Sequence, residues 1–130
     1  MSTDPDVVAL AGRVFDLARS GATDEVAEYV SAGVPANLTN GSGDTLLILA
    51  AYRDHPATVV RLLQLGADHA RVNDRGQTAL AAAVFRRSVP SVTALLDAGA
   101  DPDHGSPSAR ETAAFFGLAD MTALLDRRPG

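Results

Sequence analysis

The chain has no cysteine in 130 residues. That excludes a disulfide framework, a thiolate metal site and a cysteine nucleophile, and it fits a reducing compartment. Tryptophan is absent too, with only two Tyr and four Phe, so a core must be assembled from smaller side chains. There is no lysine; all eleven basic residues are Arg, a bias that fits a GC-rich coding sequence and carries no mechanism. No run of about 18 uncharged apolar residues occurs, so a membrane span is not expected. The opening MSTDPDVVALAG has no basic stretch ahead of an apolar one, so no export signal is expected and the cytoplasm is the default compartment. Concentrated positive charge is also missing. With scattered Arg and a net charge of −5, nucleic acid is excluded as a partner, because phosphate binding depends on clustered cations that displace counterions. Net negative charge favours a basic partner surface instead.

What the chain does have is small apolar residues. Hydrophobic residues make up 46% of it, enough for one continuous core in a single domain, and Ala, Leu and Val dominate them. Closely approaching helices without bulky side chains, an all-α chain, follow from that composition.

Self-comparison reveals a period. Gly33, Gly66 and Gly99 are spaced by 33 residues, as are Gly43 and Gly76, Thr45 and Thr78, Leu62-Leu63 and Leu95-Leu96, and Gly66-Ala67-Asp68 and Gly99-Ala100-Asp101. A fixed period of this length marks a stack of similar units. Residues 45–68, TLLILAAYRDHPATVVRLLQLGAD, read as two short helices, with Thr45 capping the first, Pro56 opening the second and Gly66 ending the pair. Residues 78–101 repeat the pattern, and Pro90 falls in the first turn of the second helix, where no amide donor is lost. An earlier, shorter copy has Thr23 at the start of its second helix and Gly33 at its end. A last copy opens on a Ser108-x-x-Glu111 capping box and ends with Leu124-Leu125.

The Thr opening, the Ala-Ala pair, the Leu-Leu pair and the Gly-Ala-Asp turn, in that order, resemble the ankyrin repeat over nearly the whole chain. The resemblance implies an all-α ankyrin-repeat solenoid of stacked helix-turn-helix units with short hairpin loops. One domain spans 1–130, with repeats near 7–39, 40–72, 73–105 and 106–128 and with residues 1–6 disordered. Each unit buries its faces only against its neighbours. The pairs Ala50-Ala51, Ala82-Ala83 and Ala113-Ala114 are expected where adjacent first helices meet, a contact that larger residues would overpack.

Two departures from the family pattern matter. Leu46-Leu47-Ile48 and Ala79-Leu80-Ala81 stand where the family has Pro-Leu-His after Thr, so the usual Thr to His hydrogen bonds are absent and stability is expected to rest more on packing. Nine residues separate Gly99 from Ser108 where twelve separate Gly66 from Thr78. The hairpin before the last repeat should therefore be stunted, and stiffened by Pro102 and Pro107.

Chemistry-bearing groups are sparse. His55, His69 and His104 fall in different units with no i, i+4 pair, so no metal site is expected, and His55 is assigned to orienting the loop before its helix. Asp101, Asp103 and His104 read as a solvated loop lacking the ligand spacing of a calcium site. The glycines of Asn40-Gly41-Ser42-Gly43 lie in a repeat turn with no strand before them, unlike a phosphate-binding loop. No cofactor and no enzymatic activity are expected.

Aligned by register, the column after the alanines reads Arg19, Tyr52, Phe85, Phe115, and the next reads Ser20, Arg53, Arg86, Phe116. The resemblance implies that these face a concave, shallow groove, with hairpin tips offering Ser42, Asp44, Asp74, Arg75 and Gln77. Aromatic and Arg side chains are enriched at the centres of protein interfaces. The expected role is therefore non-catalytic binding of an unidentified partner protein by a monomer. The competing expectations are rings tucked between repeats as core, self-association through the same strip as a structural protein, and an enzyme or small-ligand binder with a site assembled across repeats.

Overall fold

A computed structural model describes residues 5–127. Among these residues eight helices follow one another: α1 (Pro5–Ser20), α2 (Thr23–Ser31), α3 (Leu46–Tyr52), α4 (Pro56–Gln64), α5 (Ala79–Phe85), α6 (Val89–Asp97), α7 (Ala109–Phe115) and α8 (Ala119–Asp126). They pair as helical hairpins and stack in two layers. Helices α1, α3, α5 and α7 pack in sequence as one layer, and α2, α4, α6 and α8 as the other.

The sequence explains where each first helix begins. Thr45, Thr78 and Ser108 are buried, and each hydroxyl accepts the amide of the residue three further on, Ile48, Ala81 and Glu111, at 3.1 Å. The Glu111 carboxylate returns the bond to the Ser108 amide at 2.9 Å, completing a capping box. Pro56 and Pro90 occupy the first turns of α4 and α6, as expected. Helix α1 starts earlier than the repeat register indicates, so Pro5 and Asp6, expected to be disordered, lie in its first turn. Residues 1–4 are outside the described part.

Between the two layers runs a core of Val14, Val26, Leu46, Leu47, Val59, Leu62, Leu80, Val84, Val92, Leu95, Met121 and Leu125, all nearly fully buried. Counting from the caps puts Ala50, Ala83 and Ala113 in one column, each with no exposed surface. The equivalent of Ala50-Ala51 is therefore Ala83-Val84, not Ala82-Ala83. In the last unit, Leu125 alone takes the place of Leu62 and Leu95. Leu124 is only half-buried, one position off the expected pair.

Each helical hairpin turns on one left-handed residue: Gly21, Asp54, Arg87 and Gly117, with φ of 75°, 60°, 54° and 64°. Two of the four are not glycine, and a Cβ in this region is strained. Asp54→Gly should therefore raise the unfolding free energy by about 0.5–1 kcal/mol. Arg87→Gly should be close to neutral, because Arg87 also holds Asp120 of the next repeat at 2.8 Å in an exposed pair worth about the same amount. Denaturant titration of the two variants against the parent checks both. The same contact keeps the Asp120 carboxyl below the ordinary carboxylate range, through the Arg87 hydrogen bond first.

Inter-repeat polar ties exist, although not through the family's Thr to His pattern. Nε2 of His55 lies 2.8 Å from the carbonyl of Arg19, that of His69 3.1 Å from Ala98, and that of His104 2.8 Å from Ala70. A carbonyl only accepts, so in all three rings Nε2 carries the hydrogen. Each imidazole thus bridges to a neighbouring unit. The Thr23 and Thr58 hydroxyls meet at 2.7 Å between α2 and α4. By contrast Ser91, fully buried in α6, has a hydroxyl with no partner. Removing a buried group that makes no hydrogen bond relieves its desolvation cost. Ser91→Ala should consequently stabilise the fold by about 1 kcal/mol in thermal or denaturant melts.

Candidate functional site

The hairpin turns between repeats project as fingers, and two of them share one design. In the first, Asn40 Oδ1 accepts the amides of Ser42 and Asp44 at 3.0 and 2.9 Å. In the second, Asn73 Oδ1 accepts those of Arg75 and Gln77, both at 3.0 Å. Asn73 is 5% exposed, and its amide nitrogen also donates to the Asp44 carboxylate at 2.9 Å and to Gln77 Oε1 at 3.1 Å. Asn73 therefore folds its own finger and ties it to the preceding one. The Asp74 amide reaches the Ser42 carbonyl at 3.0 Å, and the Ser106 amide reaches the Gly76 carbonyl at 2.9 Å, so the fingers form a continuous row. The last one is short, closing on an isolated bridge between Gly105 and Ser108, as the nine-residue spacing predicts.

Facing the fingers are the C-terminal ends of the first-layer helices. Seven residues after their caps stand Tyr52, Phe85 and Phe115, with Phe116 following. These rings are 40%, 43%, 81% and 51% exposed, which excludes the reading that they are core. They touch in series. Tyr52 stacks on Phe85 with centroids 5.9 Å apart and planes at 9°, Phe85 meets Phe116 edge-on at 5.4 Å, and Phe116 meets Phe115 edge-on at 4.9 Å. The other two aromatics, Phe15 and Tyr29, pack into or against the core.

An open cleft of about 570 Å³ is lined by the rings of Tyr52, Phe85, Phe115 and Phe116 together with Arg75 and Gln77 of the second finger and Pro107 of the third. Ala81, Ala82, Glu111 and Thr112 complete the lining. Small residues on α5 leave this volume open. Pro107, Thr112 and Glu111 are lining residues that the column reading missed.

The remaining sequence candidates are placed differently. Arg53 and Arg86 are exposed residues that end α3 and α5 beside Tyr52 and Phe85. Arg19 does not line the cleft. Its guanidinium is 2.8 Å from Asp16, one turn back on α1. Ser42 and Asp74 are exposed on finger tips outside the cleft lining, and Asp44 is half-buried with its carboxylate engaged by Asn73. Among the described residues no group of His, Asp or Glu is arranged to hold a metal ion, and no helix is long and apolar enough to cross a membrane.

Comparison with known proteins agrees with this architecture. A family profile described as ankyrin repeats, in three copies, matches residues 14–105. A protein of Pseudomonas aeruginosa named as an ankyrin repeat protein is 39% identical over 56 residues, which cover 43% of this chain and 33% of that relative. The matched segment thus spans about a third of the relative's length. With its helical hairpins, finger row and repeat period, the chain belongs to the ankyrin-repeat family.

Proposed function

We propose that the protein is a non-catalytic binding module that holds a partner protein in the cleft between its aromatic ladder and its fingers. Ankyrin repeats are in general protein-interaction modules. The observation that carries the reading for this chain is the ladder itself: four exposed rings in continuous contact across three repeats. Exposed apolar rings grouped in one hollow are costly in water and are the residue types that anchor interfaces. The rings are also held in place before any partner arrives, because each is braced by the next and by a rigid helix end. Little side-chain freedom is then lost on docking.

Combined Tyr52→Ala, Phe85→Ala and Phe115→Ala should weaken partner capture by more than about 2 kcal/mol while helicity by circular dichroism is unchanged. The parent and the triple variant, used as paired baits on native lysate and followed by titration of the captured protein, make the comparison. Equal affinity for a folded triple variant would refute the cleft as the binding site. Self-association through the same rings is the competing reading, favoured by the exposure of Phe115 on the last described first-layer helix. Sedimentation over a range of concentrations separates the two, since only self-association makes mass rise with concentration and fall in the triple variant.

A further inference from the structure

Among the described residues, six of the ten guanidinium groups already have a partner. Arg13 meets Tyr29 and Glu25, Arg19 meets Asp16, Arg61 meets Gln64, Arg71 meets Asp68, Arg87 meets Asp120, and Arg110 meets both Asp103 and Asp126. The side chains of Arg53, Arg75, Arg86 and Arg127 form no hydrogen bond or ion pair among the described residues; Arg75 lines the cleft, Arg53 and Arg86 directly follow the ring residues Tyr52 and Phe85, and Arg127 lies beyond the end of α8. In a protein with 16 acidic and only 11 basic residues, carboxylates are not scarce. Three of these four free guanidiniums therefore stand in the cleft lining or next to its rings, against the sign of the net charge.

The lining adds a second constraint. Glu111, the acidic residue in the cleft wall, has one carboxylate oxygen committed to the Ser108 amide at 2.9 Å. Phe85 and its neighbouring rings share the cleft lining with Arg75, and Arg53 and Arg86 directly follow Tyr52 and Phe85 in the chain. An apolar side chain seated on the rings would thus bring its flanking residues towards these guanidiniums. Each guanidinium offers five donors in a planar fork that matches a carboxylate in bidentate fashion.

We propose, building on the binding role of the cleft argued above, that its occupant is an acidic peptide segment of a partner protein, one large apolar side chain flanked by Asp or Glu. The ring ladder takes the apolar side chain, and Arg53, Arg75 and Arg86 take the carboxylates. This replaces the basic partner surface that net charge alone favours, because contact electrostatics are set within about 8–10 Å at physiological salt.

Selection of a random dodecapeptide phage library on the folded full-length protein, at 0.15 M salt, tests the assignment. The enriched peptides are then synthesised and titrated by fluorescence anisotropy against the parent, the Tyr52→Ala/Phe85→Ala/Phe115→Ala variant and the Arg53→Gln/Arg75→Gln/Arg86→Gln variant, each checked by thermal melting. The expected result is enrichment of apolar residues flanked by Asp and Glu. Affinity should fall about tenfold or more in the Gln variant, with a flatter salt dependence, and should be lost in the ring variant. Peptides that need the rings but are basic or uncharged, or that bind the Gln variant as well as the parent, overturn the acidic assignment and leave the cleft as a binding site. Peptides indifferent to both variants, or no enrichment at all, overturn the cleft itself. If the parent proves dimeric and the ring variant monomeric at the selection concentration, the occupant is a second copy and the proposal fails.

Discussion

Leu80→Ala should lower the unfolding free energy by about 3 kcal/mol, within the range of about 2–5 found for emptied core sites. Leu80 is 1% exposed on α5, and α5 packs against α3 on one side and α7 on the other. A cavity there weakens the centre of the stack, where the surrounding helices are held from both directions and cannot collapse to fill it. Leu125→Ala removes the same atoms from a residue only 2% exposed, so the transfer cost is the same. It lies on α8, which packs against α6 and α7 and has no later described helix beyond it. That side can relax, and the cost should be nearer the low end, about 2 kcal/mol. In a stack stabilised by nearest-neighbour interfaces, the terminal lesion should also broaden the urea transition by letting the last repeat fray first, while the central one should shift the midpoint. Equal losses with equally sharp transitions would show that the chain unfolds as one block.

The repeat architecture was readable because its markers are local and periodic. Thr45, Thr78 and Ser108 cap helices through bonds three residues long, and a cap needs no tertiary partner to be recognised. Errors arose where identity is degenerate. In the run of alanines before Val84, residue type alone does not say which ones meet the neighbouring helix, and only the count from Thr78 places Ala83 in the buried column. The hairpin turns were missed for a related reason. Their left-handed position is filled by Gly21 and Gly117 but also by Asp54 and Arg87, so a search for glycine finds half of the pattern.

The site was half legible. The ring columns follow from register, and the structure brings Tyr52, Phe85, Phe115 and Phe116 into one ladder. The finger residues do not sort this way. Asp44 and Gln77 read as hairpin-tip residues offered to a partner, yet both are bonded by Asn73, which the sequence marks only as a polar turn residue 33 positions after Asn40. A buried Asn and an exposed one look alike until the neighbouring finger is present. The histidines show the same limit, since their carbonyl partners lie 29 to 36 residues away in other repeats.

That dependence of one finger on the next gives the finger glycines their weight, and Gly76→Ala should cost about 3 kcal/mol. Gly76 has φ of 77°, where an L-residue is strained by about 1–2 kcal/mol. A Cβ there would sit 2.5 Å from the Ser106 carbonyl oxygen, closer than any real contact, and the obstacle is backbone and so unable to swing aside. The finger must shift, stretching the Ser106 amide to Gly76 carbonyl bond of 2.9 Å, which adds about 1 kcal/mol. Gly117→Ala is the control. Its φ is 64° and nothing lies within 4 Å of its Cβ, so only a similar left-handed strain applies. Urea titration should rank Gly76→Ala well below Gly117→Ala in stability, and amide exchange at Ser106 should accelerate in the former alone. Comparable losses in the two variants would mean that contact between successive fingers adds little, and that stability resides in the helical layers.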